Sequence, residues 1–135
     1  MKALKYLIPF LFVGLVAVVG ASAQSVPPPS IVAPPEAWVE IQKDSVLLDV
    51  RTPEEFEKGH LKGSVLIPYD EIDARVSELG SDKTKTIVVY CASGRRAGKA
   101  AASLRTLGFT SVVNAGGYDE LLEPAPKVCS NPLRC

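Results

Sequence analysis

The chain has one histidine, three cysteines, one tryptophan and one methionine in 135 residues. The single histidine, His60, has no second histidine and no close cysteine to complete a ligand set, so a metal site has no support. Charge of one sign is lacking too: 15 basic and 15 acidic side chains cancel. Nothing in that balance points to nucleic acid or another polyanion as partner. No repeat is present. The one long apolar run, Tyr6 to Gly20, is shorter than the roughly 20 residues a membrane span needs.

The flanks of that run give it a reading. Lys2 and Lys5 precede it, and Ala21-Ser22-Ala23 stand before Gln24. This is the pattern of a secretory signal peptide with an Ala-x-Ala cleavage site, and residues 1–23 are expected to be removed. Retention as an anchor is the alternative. Losing Lys2 and Lys5 from the 15 basic side chains leaves 13 against 15 acidic, and the remainder suffices for one domain. The expected destination is the periplasm or the exterior, without membrane attachment after cleavage. Residues 24–35 contain Pro27-Pro28-Pro29 and Pro34-Pro35, so an extended, solvated linker is expected there. A folded domain over 36–123 and a tail over 124–135 complete the division.

Three cysteines in an exported chain leave an odd one. Cys129 and Cys135 close a short loop and are expected to pair in an oxidising compartment, which leaves Cys91 as the free thiol. A tail cysteine could instead reach Cys91 as a resolving partner, giving a redox switch.

Apolar runs and punctuation predict alternating elements. Glu36 to Ile41 reads as a short helix and Val46 to Val50 as a buried parallel strand. Thr52-Pro53-Glu54-Glu55 carries an N-cap hydroxyl, proline at the first helical position and glutamate at the third, so a helix starts there and ends at Gly59. Ser64 to Ile67 is a strand, Asp70 to Leu79 a helix, Thr86 to Tyr90 a strand, Arg96 to Leu107 a helix and Ser111 to Asn114 a strand. Gly116-Gly117 then turns into a last helical turn. This alternation implies an α/β fold, an open, mostly parallel sheet with helices on both faces. In such sheets ligands sit beyond the carboxyl ends of strands, where Asp49, Cys91 and Ala115 to Gly117 fall.

The segment Tyr90-Cys91-Ala92-Ser93-Gly94-Arg95-Arg96 carries the chemistry. Alone, Cys91 would read as a small buried hydrophobe. Its setting argues for a nucleophile: a buried strand delivers the thiol to a helix N-terminus, where amides and the helix dipole favour ionised sulfur. Gly94 permits a sharp turn, and Arg95 and Arg96 add two permanent cations.

Together with Leu48-Asp49-Val50-Arg51, Gly59-His60-Leu61-Lys62-Gly63-Ser64, Ile67-Pro68 and Asn114-Ala115-Gly116-Gly117, this segment resembles the single-domain rhodaneses, thiosulfate sulfurtransferases, and among them the short exported phage-shock type. The resemblance implies the rhodanese-like α/β fold and a six-residue active loop beginning with cysteine, where related phosphatases use seven. Arg96 closes a loop of the shorter kind. It further implies a two-step transfer: Cys91 takes sulfane sulfur from thiosulfate as a persulfide, and cyanide or a small thiol then accepts it, without cofactor. The backbone amides of Ala92, Ser93, Gly94, Arg95 and Arg96 are expected to bind the anionic persulfide, and Arg95 or Arg96 to attract the donor. Asp49 and Arg51 are expected to form an ion pair that supports the loop, and His60 to be structural. Tyr118 stands where many relatives have tryptophan. The alternative function is a low-turnover persulfide carrier or thiol-sensing module docking to a partner protein.

A magnitude separates two roles for the loop. Lowering a thiol pKa from about 8.5 to about 6.5 raises the thiolate fraction roughly 25-fold at neutral pH. A Brønsted slope of about 0.45 removes roughly 8-fold of that gain. About 3-fold remains, so orienting the donor and stabilising charge on sulfur are the larger contributions.

Overall fold

The computed structural model describes residues 30–123. Its elements alternate as expected: α1 (Pro34–Gln42), β1 (Val46–Asp49), α2 (Pro53–Glu57), β2 (Val65–Leu66), α3 (Ile72–Arg75), a 3₁₀ turn (Val76–Leu79), β3 (Ile87–Cys91), α4 (Arg95–Thr106), β4 (Val112–Gly117) and α5 (Tyr118–Leu122). The four strands form one parallel sheet in the order β2-β1-β3-β4. The expected signal segment and the Cys129–Cys135 pairing lie outside the described residues. No helix among the described residues is long and apolar enough to cross a membrane.

Strand β3 shows why the sheet is buried on both faces. All five of its residues are inaccessible, and they alternate between two cores. Ile87, Val89 and Cys91 face α3 and α4, along with Leu48, Val50, Ala97, Ala101 and Leu104. Val88 and Tyr90 face α1 and α5, with Ala37, Trp38, Ile41 and Leu121. Burying each large aliphatic side chain contributes about 1.5–3 kcal/mol, so the strand that delivers Cys91 is anchored from both sides.

Three boundaries differ from the sequence reading. The stretch read as linker is partly structured: α1 begins at Pro34, proline being suited to a first helical turn. Just before it, Ile31 forms a parallel bridge to Asn114 on the edge strand, with the Val32 N–H donating to the Asn114 carbonyl at 3.0 Å. An open edge supplies backbone groups that a neighbouring extended segment can satisfy, which proline content alone does not reveal. Next, β4 runs through Gly116 and Gly117 rather than turning there, with Gly117 paired to Cys91 across a register shift. Lastly, the helix expected over Asp70 to Leu79 is one α turn followed by a 3₁₀ turn.

Candidate active site

Cys91 is the last residue of β3 and is fully buried, whereas Ala92 and Ser93 beside it are exposed. Gly94 then takes a left-handed φ of 81° and caps α4. That backbone turn folds its N–H back onto the sulfur, which it reaches at 3.0 Å. One amide of the loop is therefore on Sγ itself. The thiol points toward the turn, not toward open solvent.

The loop is held from β4. Asn114, 2% exposed, donates from Nδ2 to the Gly94 carbonyl at 3.0 Å and accepts the Gly116 N–H on Oδ1 at 3.1 Å. A buried amide that satisfies both partners fixes the spacing between loop and strand. Gly117 allows the approach: a Cβ there would meet the Ala92 carbonyl oxygen at 2.6 Å. Asn114 stood in a quoted motif, but its bond to the Gly94 carbonyl, 20 residues away in sequence, was not legible there.

Arg96 lies in the first turn of α4, and both of its terminal nitrogens donate to the two oxygens of Glu55 at 2.7 Å. Glu55 is the third residue of α2, where the capping box forms: it accepts the Thr52 N–H at 3.0 Å and donates its own N–H to the Thr52 hydroxyl at 3.3 Å. The guanidinium holds the Glu55 carboxyl down to about 2. Arg96 is in turn held charged above its ordinary value, by Glu55 first and by the Cys91 sulfur after it. The capping box was legible in the sequence, but Glu55 as partner of the loop arginine was not. Arg95 is exposed and in no ion pair among the described residues.

Asp49 and Arg51 form a buried ion pair, with Nη2 to Oδ2 at 2.7 Å and Nε to both oxygens at 3.0 and 3.1 Å. The pair does not bond the active loop, contrary to the expected support. Arg51 instead donates to the Gly59 carbonyl at 2.7 Å and stacks over Tyr118, 4.3 Å from the ring centre. It thereby ties the end of β1 to the segment after α2 and to the start of α5. The physical reason is direction: the guanidinium leaves β1 toward the face that carries Tyr90 and Tyr118, not toward α4. The Tyr90 hydroxyl, pushed up by burial, accepts the Leu61 N–H and donates to Ser64 Oγ, each at 3.1 Å. His60 stacks on Phe56 at 3.6 Å, with Nδ1 2.9 Å from the Phe56 carbonyl oxygen.

Residues 33–123 match the family model described as the rhodanese-like domain. The chain belongs to the rhodanese family. Among curated relatives, the thiosulfate sulfurtransferase PspE of Escherichia coli is 39% identical over 80 residues, which are 59% of this chain and 77% of that protein. The putative sulfur carrier protein YrkF of Bacillus subtilis is 43% identical over 68 residues, half of this chain but 36% of the longer relative. A solved rhodanese with anions from E. coli superimposes with a TM-score of 0.56 at 38% identity, covering 59% of this chain and 94% of that one.

The match spans the whole α/β unit and so includes every element that positions the loop. Read as a rhodanese-family sulfurtransferase, the chain implies sulfur donors and acceptors as substrates. The candidate active loop, Cys91 to Arg96, is assembled by β3, α4, β4 and α2 together. Among the described residues no three His, Cys, Asp or Glu side chains group as metal ligands do.

Proposed function

We propose that this rhodanese transfers sulfane sulfur from thiosulfate to a nucleophilic acceptor through a persulfide on Cys91. The observation that carries the reading is the Cys91 sulfur at the carboxyl end of β3, bonded by the Gly94 N–H at 3.0 Å in a loop that Arg96 closes. The thiolate attacks the outer sulfur of thiosulfate; the S–S bond of the donor breaks and its electron pair leaves with sulfite. The terminal sulfur of the persulfide then meets cyanide or a thiolate, and its bond electrons return to Cys91. The Gly94 N–H stabilises negative charge on sulfur before and after transfer. Similarity to PspE supports this substrate.

The test is intact mass after thiosulfate treatment. A gain of one sulfur atom that cyanide removes, absent in Cys91→Ser, is expected together with steady-state thiocyanate production. No gain in the wild type would end the proposal. Similarity to a putative sulfur carrier and the full burial of Cys91 favour a second reading, a persulfide carrier. Persulfide without turnover would select it.

We also propose that the chain is exported and cleaved after Ala23. Mass spectrometry of the protein recovered from its native host should give a chain beginning at Gln24.

A further inference from the structure

The arginine that closes the Cys91 loop is already paired. Arg96 gives both terminal nitrogens to Glu55 at 2.7 Å, and the Thr52 N–H holds the same carboxylate from its other side at 3.0 Å. A carboxylate from α2, 41 residues away in sequence, is thus fixed against the guanidinium of the arginine that closes the Cys91 loop. With side chains 26% and 33% exposed, the pair lies at the edge of the solvent. Glu55 stays ionised at neutral pH, its carboxyl being held to about 2. The pair therefore carries no net charge, and an anion entering beside Cys91 meets attraction and repulsion that largely offset.

We propose that Glu55 is a specificity-determining residue: by neutralising Arg96 it sets the charge of the sulfur donor that the Cys91 loop admits, so that singly charged alkanethiosulfonates compete with doubly charged thiosulfate. This rests on the reading of the loop as a sulfur-donor site. A scaffold role would alter the binding of every anion alike. A charge role scales with the charge of the ligand, because each added unit meets the same change in field.

Glu55→Gln separates the two. Glutamine serves equally at the third position of a capping box, so α2 keeps its start while one negative charge is lost. Isotope-labelled protein is titrated with sulfate and with methanesulfonate, which present similar oxygens with two charges and one, and the Gly94 amide resonance reports occupancy. In Glu55→Gln, sulfate is expected to tighten roughly tenfold and methanesulfonate roughly threefold at low ionic strength, both gains shrinking in high salt. Equal changes for both anions, or none, would overturn the proposal. Thr52→Ala loosens α2 but keeps the ion pair; a change of selectivity there as large as in Glu55→Gln would assign the effect to the helix and also overturn it. Neither anion contains sulfane sulfur. Failure of the wild type to form a persulfide would therefore sink the sulfurtransferase reading without touching this result.

Discussion

The Asp49–Arg51 pair shows at residue scale how a buried charge depends on its partner. Asp49 is fully buried, and its carboxylate accepts Arg51 Nε, Nη2 and the Arg51 backbone N–H. Taking it away leaves Arg51, a residue 5% exposed, with its guanidinium on the Gly59 carbonyl and two aromatic faces. Breaking such a pair costs about 3–5 kcal/mol, most of it the uncompensated charge. Asp49→Ala should accordingly lower the urea midpoint strongly, with its slope unchanged. Double replacement by apolar residues of similar size should cost much less. If Asp49→Ala unfolded at the wild-type midpoint, the pair would have no part in stability.

Two elements meet at the candidate active loop, and each makes a separable prediction. The β3–β4 junction depends on a missing side chain: Gly117 has an ordinary φ of −97°, so alanine there is not strained by its own backbone. Its Cβ would nonetheless press on the Ala92 carbonyl oxygen at 2.6 Å, and backbone cannot swing aside as a side chain can. Gly117→Ala is expected to shift the loop and lower kcat/KM more than tenfold, while the circular dichroism spectrum stays native. The α2 capping box works through stability instead. Thr52→Ala should cost about 1 kcal/mol in thermal or urea unfolding, with persulfide formation preserved because the Glu55–Arg96 bonds remain. Loss of both together would mean that the cap itself shapes the site.

For the whole molecule, acid is the informative variable. The Glu55 carboxyl is near 4.5 when unpaired and about 2 in the fold, with the Arg96 hydrogen bonds as the largest cause. A depressed carboxyl contributes stability that is fully present above about pH 4.5 and is lost as pH falls through about 2. Being a third exposed, the pair is screened, and about 1 kcal/mol is a fitting scale. Wild type should unfold at higher temperature than Glu55→Gln at pH 6, and the two should converge near pH 2. A difference that persisted unchanged into acid would assign the effect to packing.

Local patterning made much of this protein legible. The alternation of apolar runs with capped segments announced a parallel α/β sheet, because strands buried on both faces must be continuously apolar and the helices between them need start and stop signals. Cys91 stood out for a similar reason: strand, thiol, glycine and two arginines are contiguous, so their juxtaposition needs no folding to be seen. Tertiary structure alone decided the rest. Whether the loop arginine faces a ligand or Glu55, whether Asn114 braces Gly94, whether Ile31 joins the sheet edge and which way Arg51 leaves β1 all depend on residues far apart in sequence being brought within hydrogen-bond reach. A hydrogen bond or an ion pair is set by distances of a few tenths of an ångström, and no one-dimensional spacing encodes these until the sheet has closed.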